Sequence, residues 1–529
     1  MSTTSSPAFE TLAPGAETSG SRFTAKSDYL PAMPLVDEPS APYGWRGLLI
    51  DICRHWISPE SLHRTIDAMA MAQLNVLHLH LSEDQAFRLE SRRWPRLHRV
   101  GSGGNYLTHD DVRRLVEHAT EQGIRIVPEL DMPGHTTSWL VAYPHLAATD
   151  GPFELRTNLG IGTVALDPDR ESTFEFIDGL LNELVELFPD AYLHIGGDEV
   201  DAKAWPGRSV ATTQAAFTDR VAAMVFDTGR TPVVWDEAWH AGLDPRVVVQ
   251  VWRGHGRLRA AAAEGRPVLL STPYYLDLAH HPEHHVVNPA SSAQEWAECR
   301  AKLFDDPTLG VWAQLAMGME GVWEVGVPDP PDQFARGPNL LGGEACLWTE
   351  LCPEELLDLR LWPSTVAVAD TLVDPAPAAK RSAAEWSERF AAFEDSLLAI
   401  GIDLGAQRRA RWLTLAGGDE AFADDLATMA RCCEPTKWYS RHAALADGRL
   451  DQPFDRFVDA LGSEAPGTAA DPEVRAAAGR LLERIEPATA DPRWIDVRDV
   501  ASIVARDLDD LAPIETAGEV LVITRRSHD

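Results

Sequence analysis

The segment His194-Ile195-Gly196-Gly197-Asp198-Glu199-Val200 gathers residue types suited to chemistry: an apolar strand-like start, two glycines and two consecutive carboxylates. Glycines that end a strand allow backbone torsions closed to other residues and leave room for a ligand. Two consecutive acids are usually no more than a solvated loop, so their weight depends on where the fold puts them. Carboxyl groups that flank a scissile glycosidic bond stand at least ~5 Å apart, whereas neighbouring Cα atoms are only about 3.8 Å apart. An adjacent pair suits another division of labour, in which one carboxylic acid protonates the leaving oxygen and its neighbour orients a nucleophile carried by the substrate. The acid of such a pair needs a raised pKa, from apolar walls and neighbouring negative charge, while its partner must resist that pressure through hydrogen bonds.

These residues need a scaffold, and the sequence spaces out eight short apolar runs: 47–50, 75–81, 124–129, 192–195, 232–235, 247–252, 267–270 and 340–343. Helical patterns lie between them. Ser58-Pro59-Glu60 places a cap before a proline at the first helical position, Thr108 caps a helix that stops at Gly123, and 171–187 carries a wide apolar stripe. Strand and helix alternating eight times predict an α/β protein, a closed (β/α)₈ TIM barrel, with an open doubly wound sheet as the alternative. A barrel demands that functional residues sit after the strands. Asp51 and Arg54 follow the first run, His80, Glu83 and Asp84 the second, and Glu129, Asp131 and His135 the third. Asp198 and Glu199 follow the fourth, and then come Trp235-Asp236-Glu237, Trp252, Tyr275 with Asp277, and Trp348 with Glu350.

The predicted organisation is an irregular leader at 1–43, rich in Ser, Thr, Pro and Ala, a barrel at 44–402 and a mainly helical C-terminal extension at 403–529. Lys plus Arg is 47 against 81 acids, a formal charge of -34, which disfavours nucleic acid and anionic membrane surfaces as partners. No run approaches the ~20 apolar residues of a membrane span, and the N-terminus has neither a basic start nor an apolar core that reads as a secretion signal. Six irregularly spaced cysteines point to reduced thiols and a cytoplasmic location rather than a disulfide scaffold, and no CxxC pair suggests zinc. Tryptophan is abundant, 17 against 8 tyrosines, and broad flat rings suit stacking on sugars.

Over about residues 46 to 402 the chain resembles glycoside hydrolase family 20, the β-N-acetylhexosaminidases. The resemblance rests on Arg46-Gly47-Leu48-Leu49-Ile50-Asp51 with Arg54-His55, His78-Leu79-His80-Leu81-Ser82-Glu83-Asp84-Gln85, Glu129-Leu130-Asp131-Met132-Pro133-Gly134-His135 and Gly196-Gly197-Asp198-Glu199. Trp235-Asp236-Glu237, Tyr275-Leu276-Asp277 and Gly342-Gly343-Glu344-Ala345-Cys346-Leu347-Trp348-Thr349-Glu350 complete the same order. It implies an exo-acting enzyme that removes terminal N-acetyl-hexosamines from small glycosides or oligosaccharides, without cofactor or metal. The substrate's own acetamido oxygen attacks the anomeric carbon, giving an oxazoline-type intermediate and net retention.

The resemblance further implies roles. Glu199 is the general acid and later base, Asp198 holds the acetamido N–H, and Tyr275 hydrogen-bonds the acetamido oxygen. Trp235, Trp252 and Trp348 wall the acetamido group and ring, Arg46 clamps distant hydroxyls, and Asp277 and Glu350 take the remaining ones. His135, Glu83, Asp84 and Asp131 tune the acid. Plain alternatives are an ordinary barrel ion pair for Arg46, loop ordering for His135 and simple core for each Trp. His78 is read as structural, facing the opposite way from His80.

The chain departs from the family pattern in three places. About 43 residues before the barrel cannot hold the small domain many members carry, Glu83-Asp84 stands where two aspartates are usual, and the stretch from Asp277 to Trp348, with Trp296, Trp312, Trp323 and Pro328 to Pro331, is long enough to select the group beyond the terminal sugar. Two other classes remain: a non-catalytic carbohydrate-binding protein, and a metal-dependent amidohydrolase suggested by His78-Leu79-His80.

Overall fold

The structure, a computed structural model, describes residues 42–278, 282–292, 294–298, 339–435, 450, 454, 456–462, 469–485, 492–505, 514–517 and 521–524. Most of the predicted leader, and Trp312, Trp323 and Pro328 to Pro331, lie outside these residues.

Eight strands, β1 (Trp45–Asp51), β2 (Val76–His80), β3 (Arg125–Glu129), β4 (Tyr192–His194), β5 (Thr231–Trp235), β6 (Val248–Val251), β7 (Val268–Leu270) and β8 (Leu340–Leu347), form one closed barrel in sequence order. Every pairing is parallel, and β1 closes on β8 with Trp45 opposite Gly342. An open doubly wound sheet is thereby replaced by a ring without edges.

Alternation along the strands divides the core. Leu48, Ile50, Leu77, Leu79, Val234, Val249 and Leu270 join the large cluster that packs against the helices. Inside the barrel, Trp45, Val76, Val127, Val233, Val248 and Leu269 form a separate apolar layer. Above it sits a charged layer. Glu129 receives Trp235 Nε1 at 2.8 Å and lies 2.6 Å from His80 Nδ1, 3.0 Å from His194 Nδ1 and 3.2 Å from His78 Nε2. Glu344 receives Trp45 Nε1 at 2.9 Å and Gln250 Nε2 at 2.7 Å and lies 2.8 Å from His78 Nδ1. Gly47 makes that possible, because a Cβ there would come within 2.4 Å of Glu344 Oε2. His78 and His80 therefore share the barrel interior, two residues apart on one strand face, which corrects the expectation that they face opposite ways; His78 is nonetheless a structural residue here, buried between two glutamates.

The helices begin where the chain supplies caps. Ser58 caps Pro59–Met71, accepting from the N–H of Ser61, and Thr108 with Asp111 makes a capping box for His109–Glu121. Beyond the barrel a second cluster, including Trp412, Leu426, Met429, Phe457, Leu481 and Val500, unites the C-terminal helices. A three-stranded sheet of Cys433–Pro435, Ile514–Ala517 and Leu521–Thr524 accompanies them, so the extension is helical with a small sheet added. Among the described residues no helix is long and apolar enough to cross a membrane.

Candidate active site

A cavity of about 320 Å³ opens at the C-terminal ends of the strands, lined by Arg54, Glu83, Asp131, His135, Leu159, Gly160, Ile161, Asp198, Glu199, Trp252, Tyr275, Asp277, Trp348 and Glu350. The backbone that delivers the two acids is unusual. Gly196 and Gly197 have φ of 64° and 98°, and Glu199, a residue with a Cβ, has φ of 48°. A side chain at Gly196 would come within 1.7 Å of Asp131 Oδ1, and one at Gly197 within 2.8 Å of Ala238. The turn is held by Asp131 Oδ1, which accepts from Gly197 N–H at 2.9 Å, and by Gln214 Nε2, which donates to Gly197 O at 2.6 Å. His135 is also left-handed, at φ of 52°. Such torsions in residues with side chains cost energy and survive where the surroundings enforce them.

The turn separates the two carboxylates by environment. Burial raises the Glu199 carboxyl to about 7, with His135 pulling down and Asp198 pushing up. Its side chain keeps 33% exposure, and its Oε2 lies 3.6 Å from His135 Nε2. Asp198 is deeper, and burial and then the charge of Asp131 push it well above the usual carboxylate range. Asp131, facing it, is raised by burial to about 7. Asp131 raises Asp198 through its charge and their shared hydrogen bond, while that same hydrogen bond lowers Asp131, the asymmetry of two like acids sharing one proton. The expectation that hydrogen bonds keep Asp198 low is thus not met by the protein's own groups: its buried Oδ1 has no donor among the described residues.

A network behind Glu199 fixes its neighbours. Glu83 Oε1 lies 2.9 Å from His135 Nδ1, and its Oε2 lies 3.1 Å from Arg54 Nη2 and 3.4 Å from His80 Nε2. Against the upward push of burial, Arg54 and His135 hold Glu83 well below its ordinary value. Against the downward push of burial, Glu83 and Asp198 raise His135 well above its own, which favours its cationic form. Asp51 shapes the β1 turn by accepting from Cys53 N–H at 2.7 Å and Arg54 N–H at 3.2 Å. The guanidinium of Arg54 then reaches across the pocket, 3.4 Å from Asp51, 3.8 Å from Glu350 and 5.2 Å above the Trp348 ring.

The aromatic side is built by Trp252, Tyr275 and Trp348, with Tyr275 and Trp348 edge to face at 6.4 Å. At the far end, Asp277 is pushed well above its ordinary range by burial and then by Glu350. Buried oxygens of both, Asp277 Oδ1 and Glu350 Oε2, have no hydrogen-bond partner among the described residues, so this end offers acceptors to hydroxyl donors.

The structure brings together Asp198, Glu199, Tyr275, His135, Trp252, Asp277, Trp348, Glu350, Glu83 and Asp131. Three expected residues are placed elsewhere. Arg46 is buried at the start of β1, the opposite end of the barrel, where its Nε donates to Gln73 O at 2.8 Å and its Nη1 to Tyr43 O at 2.9 Å; Arg54, one strand length on, occupies the pocket instead. Trp235 has no exposed surface and lies under the pocket against Trp348 at 5.9 Å, a floor rather than a wall. Asp84 faces away and accepts from Thr137 N–H at 3.0 Å and Arg156 Nη1 at 3.1 Å, fastening loops.

The sequence reading assigned no role to Leu159, Gly160 and Ile161, which come from a long loop without strand or motif signal, or to Glu237. The Glu237 carboxylate accepts from the backbone N–H of Glu199 and is raised by burial to about 7 against the pull of Arg253. Its signal was its place directly after β5.

For a metal, His78, Glu129 and His194 offer ligand atoms close together, as do Asp131, His135 and Asp198. The first set is buried against Trp235, and its two imidazoles already have the carboxylate as partner, His78 Nε2 at 3.2 Å and His194 Nδ1 at 3.0 Å from Glu129, which also accepts from the Trp235 indole. That arrangement does not fit the open coordination position an amidohydrolase needs.

Residues 43–375 match the family model described as "Glycosyl hydrolase family 20, catalytic domain". A β-hexosaminidase subunit beta from Entamoeba histolytica is 31% identical over 363 residues, covering 64% of this chain and 60% of that protein. A β-hexosaminidase from Porphyromonas gingivalis is 32% identical over 387 residues, covering 68% of this chain but 46% of its own length. The chain thus spans about half to three fifths of these relatives. Among solved structures, a Flavobacterium johnsoniae chitobiase is similar with a TM-score of 0.73 at 26% identity, over 88% of this chain and 71% of that one. A mutant Streptomyces plicatus β-hexosaminidase in complex with its product GlcNAc is similar with a TM-score of 0.52 at 28% identity, over 68% of this chain and 69% of that one.

Proposed function

Because the chain belongs to glycoside hydrolase family 20, we propose that it is an exo-acting β-N-acetylhexosaminidase working by retaining, substrate-assisted hydrolysis. The observation that carries this reading is the consecutive pair Asp198-Glu199, one carboxyl buried against Asp131 and the other half open to the pocket with a value of about 7.

In the first step the Glu199 carboxylic acid gives its proton to the glycosidic oxygen as the bond to the anomeric carbon breaks. The acetamido oxygen of the same sugar closes on that carbon to form an oxazolinium ring. Asp198 accepts from the acetamido N–H, the donor its Oδ1 lacks among the described residues, and stabilises the developing positive charge. Tyr275 and the indoles of Trp252 and Trp348 confine the acetamido group, and Trp235 supports them from below. In the second step the Glu199 carboxylate takes a proton from water, which opens the ring at the anomeric carbon with net retention. Arg54, Asp277 and Glu350 take hydroxyls of the ring at the closed end, which suits a terminal sugar.

The test is a panel of aryl β-glycosides, 2-acetamido and 2-hydroxy in gluco and galacto forms. The expected result is turnover of 2-acetamido sugars alone, with Glu199→Gln lowering kcat for alcohol leaving groups by ~10²–10⁴-fold. Equal turnover of the 2-hydroxy sugars sinks the internal nucleophile, and binding of 2-acetamido sugars without any turnover favours a carbohydrate-binding protein.

A further inference from the structure

Ile161 is 46% exposed, unusual for a large apolar residue among the described residues, and it sits on the lip of the pocket with Leu159 and Gly160. A single exposed isoleucine is ordinary in itself. Its setting is not, because the loop that carries it is fastened from three sides. Arg156 N–H donates to Asp84 O at 3.3 Å, Arg156 Nη1 to Asp84 Oδ2 at 3.1 Å and Arg156 Nη2 to Leu159 O at 3.0 Å. Gln85 Nε2 donates to Asn158 O at 3.1 Å. From the C-terminal extension, Leu450 N–H donates to Thr157 O at 2.8 Å. Gly162 is buried against Asp84, with room for no side chain, since a Cβ would lie 2.3 Å from Asp84 Oδ2.

The loop is therefore a built rim that holds two aliphatic side chains at the mouth. The closed end of the cavity already has polar acceptors for a sugar's hydroxyls, in Asp277 and Glu350, whereas the mouth on this side offers hydrocarbon and a glycine backbone. Resting on the glycosidase reading above, we propose that residues 156–162 form the recognition surface for the group bonded to the departing sugar, and that this surface selects an apolar face, with Ile161 as its main determinant. Asp84 and Leu450 act as positioning residues for it. Selection by this rim also gives the C-terminal extension a part in specificity, through the strut from Leu450 to Thr157.

The experiment compares kcat/KM for the benzyl and the methyl β-glycoside of N-acetylglucosamine, so that the sugar is constant and only the apolar face changes. In the wild-type protein the benzyl-to-methyl ratio is expected to exceed one. In Ile161→Ser it is expected to fall about 3- to 10-fold, as loss of an aliphatic contact area of this size predicts, and in Ile161→Phe to be kept or raised. A wild-type ratio of one, or ratios unchanged in both variants, overturns the proposal. If the wild-type protein hydrolyses neither glycoside, nor any other in the aryl panel, the glycosidase reading fails before the rim is at issue.

Discussion

Replacing His135 by Gln removes a cation whose effect on the acid can be worked from its position. His135 Nε2 lies 3.6 Å from Glu199 Oε2, and the imidazole is held charged by Glu83 at 2.9 Å. Two unit charges at ~4 Å interact by about 1 kcal/mol in water and about 4 kcal/mol at an effective dielectric of 20. Because the Glu199 side chain is 33% exposed, the screened end of that range applies. About 1–2 kcal/mol corresponds to about one pH unit. The sign follows from chemistry: Glu199 donates a proton, so activity is present below its pKa and lost above it. Removing the neighbouring cation makes the carboxylate less favourable, and the unmasked charge of Glu83 acts the same way. The alkaline limb of kcat/KM, near 7 in the wild-type protein, is expected to move up by about one pH unit even as the plateau falls. The assay uses a 2-acetamido glycoside with an alcohol leaving group, which needs the proton. Stability gives a second readout. A histidine raised in the folded state stabilises fully below its ordinary value near 6.5 and loses that contribution as pH rises through the folded value, so the Tm gap between wild type and variant should narrow with rising pH. A limb that stays put or moves to acid would refute the assignment of Glu199 as the titrating acid beside a charged His135.

Asp131→Asn keeps an oxygen for the Gly197 N–H but removes the charge that helps hold Asp198 up, so the acid limb of kcat/KM, governed by ionisation of Asp198, should move to lower pH; an unchanged limb would separate the two aspartates. Arg54→Lys replaces a fork that spans Asp51, Glu83 and Glu350 with a single ammonium. The expected loss is about 2–3 kcal/mol in kcat/KM, or roughly 30- to 150-fold, carried mainly by KM, and a loss below threefold would mean that the arginine holds structure rather than sugar.

The barrel and most of its rim were legible because their signals are local and periodic. Eight apolar runs alternating with capped helices leave few topologies, and each acid or indole directly after a run falls on the rim by the geometry of the fold. The misplacement of Arg46 shows where motif reading lost to that geometry. Arg46 lies at the start of β1, whereas Arg54 lies past its C-terminal end, where the Asp51 turn aims it at Glu83 and Glu350. Trp235 does follow its strand rule, yet its indole N–H finds Glu129 inside the barrel, so it points down rather than out. Asp84 sits beside Glu83 in a bend after β2 and faces the other way, where Thr137 and Arg156 donate to it. The rim loop at 156–162 was invisible for another reason: its place depends on Asp84 and Leu450, partners far apart in sequence.

Along the series of charges that runs out from the barrel centre, the acid is the member left free to titrate. From the barrel centre outward, buried groups alternate in sign: Glu129, His80, Glu83, His135 and then Glu199, with contacts of 2.6 Å, 3.4 Å, 2.9 Å and 3.6 Å in turn. Taken alone, each would be too costly to bury charged. In series, each interior member has opposite charge on both sides, and its ionisation is pinned: Glu129 is held low by His194 and His80 against burial, and Glu129 lifts His80 to about 10 against the same force. Glu199 ends the chain. Burial and the acids Asp198 and Glu83 push it up, the cations His135 and Arg54 pull it down, and it keeps partial contact with solvent, so opposing influences leave it near 7 while the interior members of the series are locked. A proton donor that must also act as a base within one turnover needs to be the movable end of such a chain, and its place at the mouth, beyond His135, is what makes it so.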